Sequence, residues 1–134
     1  MRAWLVLVAA LLMAAPAQAA PEAPIRQVIE DQLQAFKSDD AARAYGHAAP
    51  GIRRAFPSED RFMALVREMY KPVYRQRSYR FGELKDTPEG PMQAVDIQDA
   101  DGVDWTAVYL LEQQPDGSWK IAGCTLLKKP GQTV

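Results

Sequence analysis

Cysteine and histidine are almost missing from this sequence, which has one of each among its 134 residues. A single cysteine excludes a disulfide within the chain and every zinc or iron–sulfur site that needs several cysteines. A single histidine excludes the metal sites that are built from several histidines. We therefore predict neither a metal ion nor a cofactor.

An excess of either charge is also missing, because 16 lysines and arginines stand against 17 aspartates and glutamates. Nucleic-acid-binding domains usually carry a basic excess. The glycine-rich P-loop and dinucleotide-binding motifs do not occur in the sequence. We therefore expect no nucleic-acid partner.

The only long apolar run lies at the N-terminus. Arg2 precedes 13 uninterrupted apolar residues, 3–15, and Pro16 and Ala17-Gln18-Ala19 follow. This order of a positive residue, an apolar stretch and a small-x-small cleavage site is typical of a secretory signal peptide. The run is shorter than the roughly 20 residues of a membrane-spanning helix. We predict a signal peptide over 1–19, no stable membrane anchor, and an exported protein, periplasmic or extracellular.

The remaining chain changes its hydrophobic period once, after Pro72. Before it, apolar residues recur at helical spacing from Ile25 and from Phe62, with a short alanine-rich segment at 41–48 between them. After it, four stretches predict strands, with turns between them at 87–91, Asp101-Gly102 and 115–117. The predicted strands are Arg77–Leu84, Met92–Gln98, Val103–Glu112 and Trp119–Leu127.

This order predicts an α+β fold in which three N-terminal helices pack on one face of a four-stranded antiparallel sheet. A leader over 20–24 precedes a single domain over 25–128, and a tail over 129–134 follows it.

Several short segments resemble known proteins. The helix and strand order, with the ending Asp116-Gly117-Ser118-Trp119-Lys120-Ile121, is similar to the nuclear-transport-factor-two-like, or cystatin-like, cone fold. The segments 51–57, Arg61-Phe62-Met63 and Pro72-Val73-Tyr74-Arg75 resemble a narrower group of short secreted bacterial proteins classed as a domain of unknown function. The resemblance implies a curved sheet that encloses a pocket, and it implies no catalytic residues.

Aromatic residues are the first candidates for such a pocket, since ligand pockets are mostly apolar with a few polar groups. The pocket candidates are Tyr45, Tyr79, Phe81, Trp105 and Tyr109. Enzymes on the cone fold usually work with an Asp, Tyr or His inside the cone, as the resemblance implies. Asp96 is the polar exception in an apolar strand, but it alternates with Val95 and Ile97, so we interpret it as a residue of the open face.

Two other reactive side chains have structural interpretations. His47 ends the second predicted helix, where a histidine interacts favourably with the helix dipole. Cys124 lies in an apolar strand, and a buried free cysteine is usually inert. No catalytic residue is assigned, although an odd cysteine in an exported protein also permits an intermolecular disulfide.

Basic residues cluster in the middle of the chain, with eight between Arg53 and Arg80 against three acidic residues. Arg75, Arg77 and Tyr79 alternate on one face around the start of the first predicted strand, so the two arginines are candidates for binding an anion such as a carboxylate or a phosphate. The alternative is that the basic residues neutralise the acidic half of the chain across the fold.

Strands three and four carry apolar residues in both alternating sets, unlike a sheet with one solvated face. In strand four, alternation predicts Trp119, Ile121 and Leu127 on one face and Ala122, Cys124 and Leu126 on the other. We therefore expect a homodimer through the outer face of the sheet. The function that these features favour is an exported, non-enzymatic domain that binds a small molecule or a protein through the cone or the sheet face. The alternatives are a cone-fold enzyme of isomerase or hydratase type that uses a pocket Asp or Tyr, and a structural dimerisation module.

Overall fold

The computed structural model describes residues 21–130, which form a mixed helical and antiparallel-sheet fold. The predicted signal peptide and the last residues of the tail lie outside the described residues. The helices are α1 (Glu22–Lys37), α2 (Ala41–Gly46), α3 (Pro50–Ala55), α4 (Glu59–Met69) and α5 (Lys71–Tyr74). The strands are β1 (Ser78–Thr87), β2 (Gly90–Gln98), β3 (Asp104–Gln113) and β4 (Trp119–Lys128).

The predicted apolar stripes form the buried faces of the two longest helices. In α1, Ile25, Ile29 and Leu33 are fully buried. Helix α4 begins after Ser58, whose side chain accepts a hydrogen bond from the Arg61 amide. Such a serine cap satisfies one of the free amides of the first turn.

The described residues contain five helices, so the prediction of three is wrong. A residue with positive φ, Asp39, separates α1 from α2, and a proline opens each of two further short helices, α3 and α5. Pro72 was expected to end a helix. It lies instead in the first turn of α5, where the missing amide hydrogen costs nothing.

The sheet is a curved antiparallel meander in the order β1-β2-β3-β4. The four strands begin and end within three residues of the predicted bounds. The largest difference is at the first hairpin, where β1 and β2 extend until Thr87 pairs with Gly90. The α+β class and the four-stranded antiparallel sheet are therefore confirmed.

Both edge strands contain a bulge. In β1, Phe81 pairs with Val95 and Leu84 with Gln93, so β1 has one residue more than β2 over this stretch. In β4, Ile121 pairs with Leu111 and Gly123 with Leu110, which leaves Ala122 as the extra residue. A bulge bends its strand and increases the local twist.

The bulge at Ala122 corrects the predicted faces of β4. Ile121 and Cys124 were expected on opposite faces, but Cys124 pairs with buried Tyr109 and Leu126 with buried Ala107. Because paired residues lie on the same face of a sheet, Ile121, Cys124 and Leu126 all face the helices. The second apolar set of β4 therefore belongs to the core rather than to the outer face.

The core lies between the helices and this inner face of the sheet. It joins the α1 stripe to Val95, Ala107 and Leu111 of the central strands. A parallel bridge between Ala48 and Ile121 ties the α2–α3 connection to β4. Among residues 21–130, no helix has the length and apolar character needed to cross a membrane.

Candidate functional site

A cavity of about 160 Å³ lies between helices α1, α3, α4 and α5 and the inner face of β3 and β4. Its buried lining is mostly apolar and includes Phe36, Phe62, Val66, Val73 and Ile121. Two further buried residues, Gln32 and Tyr109, bring polar groups to the same space. Large apolar surface with a few polar groups is the usual composition of a small-molecule site.

The half-buried lining residues mark the side on which the cavity opens. These residues are Ile52, Phe56, Leu65, Tyr70, Gly123 and Cys124. They come from α3, α4, the residue after α4, and the bulged part of β4. The opening is therefore bounded by α3 and α4 on one side and by the bulge of β4 on the other.

Gln32 places an amide within the apolar stripe of α1. It is only 4% exposed, and its Nε2 donates a hydrogen bond to the Ala44 carbonyl at 3.1 Å. A buried glutamine needs such partners, because burying an unpaired amide is costly. This bond joins α1 to α2 and fixes the orientation of the Gln32 amide.

Tyr109 and Cys124 lie opposite each other in the β3–β4 ladder. The Tyr109 hydroxyl is buried beside the Cys124 thiol and makes no hydrogen bond of normal geometry to any residue that the structure describes. Burial, with a smaller contribution from Cys124, raises the pKa of Tyr109 well above its ordinary value. Burial likewise raises the pKa of the Cys124 thiol to about 12. Both groups are therefore neutral at physiological pH.

Tyr70 links the helical side of the cavity to the sheet. Its hydroxyl donates to the Cys124 carbonyl at 3.2 Å, and burial raises its pKa. Tyr70 is also the single residue between the end of α4 and the start of α5. This hydrogen bond thus joins the helical side of the opening to the sheet through two residues that are far apart in the sequence.

Of the five aromatic pocket candidates, the structure places Tyr109 in the lining of this cavity. Tyr45 packs on Phe62 and donates from its hydroxyl to the Phe56 carbonyl at 2.7 Å. It therefore supports the cavity from behind, through two residues that line it.

The other three candidates are Tyr79 and Phe81 in β1, and Trp105 at the start of β3 beside the β2–β3 turn. Tyr79 donates to Glu30 at 2.6 Å and packs edge-to-face on Phe81. Trp105 donates from Nε1 to Asp99 at 2.9 Å. The structure does not bring these three side chains together with Tyr109 in the cavity lining.

The anion candidates also lie apart from the cavity. Arg75 follows α5 rather than belonging to a strand, and its guanidinium binds Asp39 at 2.7 Å and the Phe36 carbonyl at 2.6 Å. Arg77 precedes β1, and its amide donates to the Gln98 carbonyl. The expected strand alternation of Arg75, Arg77 and Tyr79 is therefore wrong, because β1 begins at Ser78.

Asp96 lies on the outer face of the sheet, as its alternation with buried Val95 and Ile97 predicted. Its carboxylate contacts Lys129 at 2.8 Å and Arg80 at 3.7 Å. The hydrogen bond from Lys129 is the main reason that the pKa of Asp96 is lowered. This aspartate is on the opposite side of the sheet from the cavity.

His47 caps the C-terminal end of α2, as expected, and its Nε2 lies 2.5 Å from Asp31. Asp31 also binds Arg43, and the bonds from Arg43 and His47 lower the pKa of Asp31 to about 2. The three side chains form a hydrogen-bonded cluster that joins α1 to the C-terminal end of α2. Over residues 21–130, no group of three or more His, Cys, Asp or Glu side chains is arranged to hold a metal ion.

Sequence reasoning missed most of the cavity lining. Gln32 had the clearest available signal, because it is a polar residue within the apolar stripe of α1. The half-buried residues of α3 carried no such signal, since this helix is too short for a reliable period.

The fold and the site together define a small α+β domain with one partly enclosed, uncharged cavity between its helices and sheet. The chain belongs to the family described as Domain of unknown function (DUF4864), whose model matches residues 18–134. This match confirms the expected domain-of-unknown-function family. A search of curated proteins found no match to the chain.

Proposed function

We propose that this protein is an exported binding domain of the nuclear-transport-factor-two-like cone type, and that it holds a small apolar molecule in the cavity between its helices and sheet. The observation that carries the proposal is the cavity itself, with a volume of about 160 Å³. An apolar protein cavity of about 150 Å³ is large enough for a benzene molecule. The ligand, or the part of it that enters, is therefore about the size of one six-membered ring.

The chemistry of the lining favours binding over catalysis. The polar side chains that the structure places around the cavity are Gln32, Tyr70, Tyr109 and Cys124. General acid–base catalysis needs a group that is tuned to exchange a proton near the working pH. The raised pKa values of Tyr109 and Cys124 move both groups away from that range. The carboxylate candidate of the enzyme alternative, Asp96, lies on the outer face.

Titration with toluene, followed by protein NMR or calorimetry, tests the binding proposal. We expect saturable binding to the wild type and loss of binding in Leu65→Trp, because the indole would fill the opening. Leu84→Trp is the matched control, since Leu84 is also half-buried against the core but does not line the cavity. Failure of the wild type to bind toluene, or equal binding by both variants, would contradict the proposal.

Export rests on the sequence pattern of residues 1–19. Mass spectrometry of the protein recovered from the cell envelope is expected to give an N-terminus at Ala20 or one residue later. An intact Met1 terminus in that fraction would contradict export.

A further inference from the structure

The cavity lining contains no charged side chain among the residues that the structure describes. A carboxylate or an ammonium group that entered it would lose its hydration and gain no opposite charge. Burying an unpaired charge is far more costly than burying a neutral polar group that finds a hydrogen bond. The lining therefore selects against ionised ligands.

Gln32 offers the cavity a hydrogen-bond acceptor. The Ala44 carbonyl can only accept, so the Gln32 amide must turn its Nε2 toward it. This leaves Oε1 as the free end of the amide, and no described residue donates a hydrogen bond to it. The orientation of this acceptor is set by the protein before any ligand binds.

Tyr109 adds a hydroxyl group that makes no normal hydrogen bond within the fold. Its oxygen is buried and makes no hydrogen bond of normal geometry to any residue in 21–130, although the weakly hydrogen-bonding thiol of Cys124 lies beside it. Buried polar groups in folded proteins are nearly always paired, so an unpaired one in a cavity wall needs an explanation. A ligand that accepts a hydrogen bond from this hydroxyl supplies one.

From these three observations we infer that the ligand is a neutral molecule with one apolar ring and a hydroxyl group, of the phenol class. A hydroxyl both donates and accepts, so it can donate to Gln32 Oε1 and accept from the Tyr109 hydroxyl. The ring occupies the apolar part of the cavity beside Phe36 and Phe62. This inference rests on the proposed function and narrows its ligand class.

The test compares phenol, toluene and benzoate as ligands of the mature protein at neutral pH. Phenol is expected to bind about tenfold more tightly than toluene, which corresponds to one net buried hydrogen bond. Benzoate is expected to bind more weakly than toluene, because its carboxylate finds no cation in the lining.

Two variants examine the polar groups separately. Tyr109→Phe removes a hydroxyl that makes no hydrogen bond of normal geometry in the fold, so it is expected to fold, and the ratio of its phenol and toluene affinities is the readout. It should lose most of the preference for phenol, and Gln32→Met should do the same. Tyr45→Phe is the matched control, because Tyr45 does not line the cavity and its hydroxyl is already bonded to the Phe56 carbonyl. That variant should keep the preference.

The outcomes separate this inference from the proposed function. Equal binding of phenol and toluene, or tightest binding of benzoate, overturns the ligand class and leaves a cavity that binds apolar molecules. A phenol preference that survives in both Tyr109→Phe and Gln32→Met also overturns it. Binding of none of the three probes overturns the proposed function, and this inference with it.

Discussion

The chemistry of Cys124 is determined by the residues around it rather than by its position near an opening. Its strand partner is Tyr109, and its thiol pKa of about 12 reflects burial. Since the thiolate is the nucleophile, a raised pKa means that little reactive species exists at physiological pH. The native protein therefore carries a half-buried cysteine whose thiol is chemically quiet.

We expect Cys124 to react with Ellman's reagent at pH 8 roughly ten- to a hundredfold more slowly in the native protein than in urea, since an exposed cysteine has a pKa of about 8.5 and the higher nucleophilicity of a high-pKa thiolate offsets part of the lost thiolate fraction. The rate is expected to rise with pH well beyond pH 9, because the folded-state pKa lies near 12. Similar rates in the native and the unfolded protein would contradict the assigned environment.

At the scale of single residues, the sequence predicted Tyr109 as a pocket residue but did not predict which side chains surround it. Tyr109 was a pocket candidate because it is an aromatic residue of an apolar strand, and Tyr79 and Trp105 met the same criterion. What separates them is the hydroxyl or indole partner of each, Glu30 for Tyr79 and Asp99 for Trp105. The Glu30 partner lies 49 positions away along the chain, so no local pattern reveals it.

Among the elements, the first hairpin has the tightest backbone constraint. Gly90 begins β2 with φ of 134°, a conformation that is nearly exclusive to glycine. A Cβ atom at this position would lie 2.8 Å from the Leu111 carbonyl oxygen. The hairpin is therefore constrained both by its own turn and by its approach to β3.

Gly90→Ala is expected to lower the free energy of unfolding by about 3 kcal/mol, because backbone strain and the close contact with Leu111 add together. Gly117→Ala is the matched control, since Gly117 also has positive φ but nothing lies within 4 Å of its added Cβ. It should cost about 1 kcal/mol. Urea denaturation measures both, and equal losses would show that the Leu111 contact does not contribute.

The strands were predicted more closely than the helices for a physical reason. Alternation and glycine-containing turns are local signals. They predict both ends of each strand to within three residues of the observed ends. Helices α3 and α5 span six and four residues, too few to display a helical period. The bulges were not predictable at all, because a bulge is defined by the pairing of two strands and not by either strand alone.

At the scale of the whole molecule, the helices cover one face of the sheet and leave the other open. The open face is less apolar than the sequence suggested, since the bulge turns Cys124 and Leu126 inward. It still presents Met92, Val108 and Leu110 side by side, and Leu127 is 54% exposed. We propose that a second copy of the chain covers this face as a two-fold dimer.

Light scattering at micromolar concentration is expected to give a mass near two chains for the mature protein. Leu127→Glu should reduce it to one chain by placing a charge in the interface. Met69→Glu is the control, since Met69 is 64% exposed on α4, away from the sheet face. Leu126, suggested by simple alternation as an interface residue, is unsuitable because it faces the core. A wild-type mass near one chain, unchanged on concentration, would contradict the dimer.

The extra residue in β4 also determines how this strand tolerates changes in its length. Deleting Ala122 alone would leave Ile121 opposite Leu111 and Gly123 opposite Leu110, so every later side chain would keep its face. A residue inserted in the regular part of the strand would instead move every later side chain to the opposite face of the sheet. Because the bulge bends the strand beside the cavity opening, the deletion would flatten the sheet without altering the composition of the core. Loss of this single residue would thus change the width of the cavity opening while every side chain of β4 keeps its face.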